Sequence, residues 1–243
     1  MGRKNSLELL AAGEIPLRYQ RNFGTLGIEG QMRLLKSRVA VVGAGGLGGN
    51  AIELLARLGV GFLRIIDGDC FEVHNLNRQL LATEATLGMN KARVAAARVA
   101  EVNSEVQTHA LPEMVTEENA RQLLTGMDVV VDALDCIDCR LLISRTAQEL
   151  KIPLVHAAIA GCTGQVATIL PDGPGLEKIY RTAGPSGKGI ETVLGTPAPT
   201  AALAAAIQAQ EVVKVLTGIG EPLAGKLLYF DTGLHIYEMV NLG

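Results

Sequence analysis

The chain has 243 residues, 48% of them hydrophobic, and a formal net charge of -3, enough apolar material for one large domain with a buried core. Aromatics at 3%, no tryptophan and a weakly acidic balance argue against a stacking surface or a broad basic footprint for nucleic acid. No apolar run reaches the roughly 18–20 residues of a membrane span, and four cysteines do not make a disulfide scaffold, so a reduced, cytoplasmic protein is expected.

The start, MGRKNSLELLAAGE, lacks a secretory apolar core and reads as an amphipathic arm, with a short helix over 7–10. A polar, basic segment over 18–23 and a helix over 30–36 lead into a strand over 39–42. A helix over 48–58, a strand over 62–67 and a long helix over 91–103 follow, the last offering Val94, Ala97, Val99 and Val102 to one face. The alternation continues with strand 106–110, helix 119–124, strand 129–133, helix 140–150 and strand 154–158. That order predicts an α/β protein with a Rossmann-like, doubly wound, mostly parallel sheet. Strands over 165–170, 226–231 and 235–240 predict a C-terminal mixed or antiparallel extension, with a helix over 200–216 between them. Residues 171–199, rich in Gly and Pro, read as a flexible crossing loop. Without an internal repeat, 1–243 is expected to be a single domain with an N-terminal helical arm over 1–36.

The chemistry concentrates in VAVVGAGGLG at 39–48, IIDGD at 65–69 and NLNRQ at 75–79. Gly43, Gly45 and Gly48 fit G-x-G-x-x-G between a β-branched strand and a helix, where backbone N–H groups approach phosphate at the positive end of the helix dipole. Asp67, about 20 residues on, suits a ribose hydroxyl. Those features alone fit an NAD-dependent oxidoreductase, but no Lys/His or Tyr–Lys pair is placed for hydride transfer, and His156 reads more simply as a packed strand end.

Asn75, Asn77, Arg78 and Lys91 support a different reading, in which Arg78 forks onto phosphate oxygens and Lys91 supplies a compact charge at a helix start. Asp135, at the carboxyl edge of the sheet, suits Mg²⁺ beside a triphosphate. Taken singly, a solvated Arg78, a surface Lys91 and an Asp135 that merely caps a helix remain open.

The succession RYQRN, GAGGLG, DGD, NLNRQ, NKAR and DALD, with QAQEVVKVLTG near the end, closely resembles the ThiF/MoeB/HesA family, relatives of ubiquitin-activating enzymes. The resemblance implies a homodimer that binds Mg·ATP and adenylates the C-terminal glycine carboxylate of a ubiquitin-like sulfur-carrier protein ending in Gly-Gly. It implies a nucleotide site of Gly43, Gly45, Gly46, Gly48, Asp67, Asp69, Asn75, Asn77, Arg78, Gln79, Lys91 and Asp135. Catalysis then falls to Arg78, Lys91 and Asp135, with Arg21 of RYQR as a finger from the neighbouring subunit. The alternative within the family is a tRNA threonylcarbamoyladenosine dehydratase-like enzyme.

Two departures matter. Many family members carry two Cys-x-x-Cys pairs for structural zinc, whereas here only Cys136-x-x-Cys139, Cys70 and Cys162 exist, at other positions, so no zinc site is expected. The family's acceptor cysteine precedes the motif matched here by Ala198-Pro199, and GIETVLGTPAP carries Glu191 near that place. A carboxylate cannot form the thioester or persulfide, so the chain is expected to stop at the acyl-adenylate and leave sulfur to a separate donor.

Overall fold

The valine- and isoleucine-rich stretches Arg38–Val42 (β1), Phe62–Ile66 (β2), Gln107–Leu111 (β3), Val129–Asp132 (β4) and Leu154–Ala160 (β5) form the parallel part of one sheet. Thr163–Ile169 (β6), Lys226–Asp231 (β7) and Ile236–Asn241 (β8) extend it antiparallel. The strand order is β3-β2-β1-β4-β5-β6-β7-β8. The computed structural model describes residues 5–180 and 189–242.

β1 and β4 read as continuous apolar runs because both of their faces are covered. One face carries Gly46–Leu58 (α3), Lys91–Val102 (α4) and Ala198–Thr217 (α8), packed over Val39, Val41, Leu63 and Ile65. The other carries Ala120–Leu124 (α5) and Ile137–Glu149 (α6), packed over Ala40, Val42, Ile66 and Val130. In α8 the buried residues Ala201, Ala204, Ala205 and Ala209 are small, which lets this helix lie close to α3 and β5. Its buried Gln208 donates from Nε2 to the carbonyls of Asp132 (2.7 Å) and Val155 (2.9 Å), bracing the ends of β4 and β5. α4 buries Ala92, Ala95 and Val99 and leaves Ala97 exposed, so its inner face starts nearer the N-terminus than the valines suggested.

Ser6–Ala11 (α1) starts at a capping box of Asn5 and Glu8, and Phe23–Lys36 (α2) follows a 3-10 turn over Leu17–Tyr19. α2 begins seven residues before the expected 30–36 helix because Gly27, at φ 63°, kinks it and interrupts the apolar period. Part of the expected crossing loop, 181–188, lies outside the described residues. Its described flanks hold short helices, Leu176–Lys178 and Glu191–Leu194 (α7). Leu176 is fully buried, and Ile179 and Tyr180 pack beside it on the α6 face of the sheet. No described helix is long and apolar enough to cross a membrane.

A buried hydrogen-bonded pair helps tie the arm to α3 and α4. Tyr19 and Asn103 are both buried, and Asn103 Nδ2 donates to Tyr19 Oη and to the Ala56 carbonyl, each at 2.8 Å. Asn103→Ala takes the donor from the buried Tyr19 Oη, while the Ala56 carbonyl keeps only Gly59 N at 3.2 Å. It should lower unfolding free energy by about 1–3 kcal/mol, read as a lower urea midpoint with an unchanged m-value.

Candidate active site

The strand order reverses between β1 and β4, with β2 and β3 built on one side and β4 and β5 on the other, opening a crevice at the carboxyl ends of these strands where ligands of such sheets bind. A cavity of about 720 Å³ occupies it. Its floor is the turn from β1 into α3, and the glycines there divide by task. Gly43 has φ 94°, and a Cβ on it would stand 2.5 Å from the Ala133 carbonyl oxygen. A Cβ on Gly48 would stand 1.8 Å from the Gly43 carbonyl oxygen. These two permit the chain to pass itself and β4. Gly45 and Gly46 line the cavity, their missing side chains leaving room beside Gln79 and Arg78. The first turn of α3 therefore presents bare backbone to the cavity, a ready anion site.

The DGD segment braces that floor. Asp67 Oδ2 accepts from Ala44 N at 2.7 Å and Oδ1 from Asp69 N at 2.8 Å. Burial pushes the Asp67 carboxyl above the usual carboxylate range, and the two backbone donors oppose that shift. Asn90 caps α4 by accepting from Arg93 N, and its Nδ2 donates to the carbonyls of Asp67 and Asp69, each at 3.0 Å. That cap sets Lys91 at the cavity wall, buried along its stem, with Nζ 3.0 Å from Asp69 Oδ2.

NLNRQ follows a 3-10 turn over Val73–Asn75. Asn75 is buried, its Oδ1 accepting from Glu72 N at 2.9 Å, so it shapes the turn. Asn77 accepts from Arg78 Nη1 at 2.9 Å, and the same nitrogen donates to the His74 carbonyl at 3.0 Å. Of this motif, Arg78 and Gln79 line the cavity, while Asn75 and Asn77 stand behind them. Gln79 is buried, and its Oε1 has no hydrogen-bond partner among the described residues. An orphaned acceptor beside a floor without side chains fits a ligand that brings donors and phosphates. Asp135 also lines the cavity and is exposed, a hard oxygen donor of the kind Mg²⁺ takes while keeping most of its waters. Arg21 is exposed after the Leu17–Tyr19 turn and does not line its own chain's cavity.

Several lining residues escaped the sequence reading. Glu113 and Met114 follow β3, Thr192 lies in α7 and Thr196 follows it. Arg140 is buried in α6, donating from Nη1 to Tyr180 Oη at 2.6 Å and from Nη2 to the Leu134 carbonyl. Behind it His156 Nδ1 meets Asp132 Oδ2 at 2.7 Å, both fully buried, and Tyr180 Oη lies 3.2 Å from His156 Nε2. Burial pulls His156 below its ordinary value, with the Asp132 bond opposing. It is a closed structural pair and not an acid–base group facing the cavity. The spacing of Leu176, Ile179 and Tyr180 was the available signal for this inner wall. Glu191 also lines the cavity. Cys136 caps α6, its Sγ accepting from Cys139 N at 3.5 Å, and both thiols border the cavity. The arrangement supplies positioned positive charge, backbone donors and carboxylates, suited to phosphate chemistry without an obligatory general base.

Residues 18–243 match the model of the ThiF family. The chain is 40% identical over 229 residues to a SAMP-activating enzyme E1 of Haloferax volcanii, covering 92% of this chain and 84% of that protein. It is 39% identical over 213 residues to a sulfur carrier protein adenylyltransferase of Thermus thermophilus, covering 85% and 79%. An adenylyltransferase and sulfurtransferase MOCS3 of Arabidopsis thaliana is 37% identical over 231 residues, and 88% of this chain spans about half (47%) of it. Among solved structures, E. coli MccB bound to a MccA variant superposes with a TM-score of 0.83 at 24% identity, over 93% of this chain and 72% of that one, a likeness of fold.

The closed His156–Asp132 pair carries a pH signature. The unfolded chain takes up the histidine proton near 6.5, whereas the folded chain resists it, so stability falls as pH drops below that value until the depressed folded pKa is reached. The slope is at most about 1.4 kcal/mol per pH unit for one proton. Urea midpoints followed between about pH 7 and 5 should fall more steeply for the wild type than for His156→Gln.

Proposed function

Because the chain belongs to the ThiF family, we propose that it is an ATP-dependent adenylyltransferase acting on the C-terminal glycine of a ubiquitin-like sulfur-carrier protein. The single observation that carries this reading is that the glycine turn into α3, Arg78, Lys91 and Asp135 all line one cavity. The names of its relatives from Haloferax volcanii and Thermus thermophilus agree with it. The enzyme works as a single domain in a homodimer in the cytoplasm.

The roles follow from charge. The carrier's terminal carboxylate is ionised at neutral pH and attacks the α-phosphorus of ATP; the bond to the β-phosphate oxygen breaks and pyrophosphate leaves. Two anions must meet, so neutralisation supplies most of the catalysis. The α3 N-terminus receives phosphate, and Arg78 and Lys91 spread charge along it from two walls. Binding phosphate draws Lys91 Nζ from Asp69 and Arg78 from the His74 carbonyl, exchanging contacts the free protein uses as rests. Asp67 keeps acceptor capacity for ribose beyond its two backbone bonds. Asn75 and Asn77 hold Arg78 in its turn, and Gln79 contributes its orphaned Oε1 to the nucleotide. Asp135 holds Mg²⁺, which neutralises phosphate charge when bound. Exposed Arg21 serves the partner's site.

No cysteine occurs anywhere in 171–199. The reaction therefore ends at the acyl-adenylate, and a separate sulfur donor consumes it. Neither zinc nor nucleic acid enters the proposal.

Carrier-dependent exchange of labelled pyrophosphate into ATP tests the reading. The wild type should exchange only with a carrier ending in Gly-Gly; exchange supported only by tRNA, or NAD reduction without ATP turnover, would overturn it. Arg78→Ala, Lys91→Ala and Asp135→Ala should each lower exchange by about 10³-fold while the dimer stays folded by gel filtration. Mixed dimers of Arg21→Ala with Asp135→Ala should recover one working site if Arg21 reaches across, and none if it acts within its own chain.

A further inference from the structure

Cys136 and Cys139 sit one helical turn apart in the wall that also holds Asp135 and Arg140. Both are free and half-buried. Residues so spaced have Cβ atoms about 5–6 Å apart, and a disulfide holds Cβ atoms about 3.5–4.5 Å apart, so the first turn of α6 must tighten by about 1–2 Å to close the bond. We propose that this pair is an oxidative modification site at which a hydroperoxide forms a Cys136–Cys139 disulfide that disables the nucleotide cavity.

The hydrogen bonding divides the work. Cys136 Sγ receives the Cys139 N–H and the Cys139 thiol, which makes Cys136 the sulfur that meets the oxidant. Cys139 is pushed up to about 12, by burial first, then by its bond to Cys136 and the charges of Cys136, Asp135 and Asp138. It holds its proton until Cys136 reacts. The Cys136 sulfur attacks the peroxide O–O bond, giving a sulfenic acid and water. The oxidised Cys136 no longer accepts from the Cys139 thiol. The Cys139 sulfur then displaces the hydroxyl, forming the S–S bond and a second water. Two thiols have lost two hydrogens and two electrons, and hydrogen peroxide has become two waters.

The consequence is local. The turn that displays Asp135 is pinned by Leu134 N donating to Asp132 Oδ1 at 3.1 Å, by Arg140 donating to the Leu134 carbonyl, and by the Cys136 cap. A disulfide removes the cap acceptor from Cys139 N–H and pulls Cys136, the neighbour of Asp135, toward the helix.

The readouts are the disulfide, nucleotide binding and exchange; only the last rests on the adenylyltransferase reading. Hydrogen peroxide should remove two hydrogens from the peptide carrying both cysteines, seen by mass spectrometry, and saturating ATP should slow this. ATP affinity and pyrophosphate exchange should fall by about tenfold or more and return with dithiothreitol. In Cys136→Ser and in Cys139→Ser the ratio of oxidised to reduced activity should stay near one, whatever the basal rate. Absence of the disulfide, unchanged ATP affinity once it has formed, or equal peroxide sensitivity in Cys139→Ser would each overturn the proposal. Failure of exchange in the fully reduced protein would instead overturn the adenylyltransferase reading, leaving disulfide and affinity to judge the thiols.

Discussion

The cavity depends on one carboxylate holding two backbone donors. Asp67 closes the end of β2 onto the glycine turn of β1 through Ala44 N and onto its own loop through Asp69 N. Without that brace, Gly43–Gly48 would be a permissive chain with many conformations to lose on binding. With it, the backbone amides at the start of α3 are set before any ligand arrives, and preorganisation is what makes fixed dipoles effective against developing charge. The burial that this brace requires also pushes the Asp67 carboxyl upward, and the same two donors limit the shift.

From that point the walls follow by short chains of contact. Asn90 reads the DGD backbone and caps α4 with the same side chain, so Lys91 stands where the loop puts it. Gln208 in α8 braces β4 and β5 from one face, while Arg140, Tyr180, His156 and Asp132 fill the other side. Most of the groups bordering the cavity are thus held by partners of their own, and Gln79 Oε1 is left open. The cavity's open face carries charge, and His156 is sealed away from it. That division suits attack by an already ionised carboxylate, where alignment and neutralisation limit the rate and proton transfer does not. The thiols of Cys136 and Cys139 also stand in the lining of the same cavity as Asp135.

Most strands and long helices were legible because local preference and burial agree in them. The β-branched runs over 38–42 and 129–132 and the alanine-rich α8 are examples. Legibility failed where one residue serves two ends. Gly27 hides the first half of α2 by breaking its period, and Cys136, a rare cap, hides the start of α6 at Ile137, three residues before the expected one. The motif residues Gly45, Gly46, Asp67, Arg78, Gln79, Lys91 and Asp135 do converge on one cavity. Asn75 and Asn77 belong to the turn behind it, a distinction that spacing cannot make because both positions lie in one short loop. His156 reads in the sequence as a packed strand residue, and is one, but its partner Asp132 and the role of Arg140 were invisible, because their contacts join segments distant in sequence.

The central claim is that the braced glycine turn and its two basic walls hold a triphosphate. A crystal structure with Mg²⁺ and a non-hydrolysable ATP analogue tests it most directly. The phosphates should run along Gly45 and Gly46, with Arg78 and Lys91 turned from their resting partners onto phosphate oxygens and Asp135 on the metal side. Phosphates bound elsewhere while Arg78 stays on the His74 carbonyl and Lys91 on Asp69 would contradict the account.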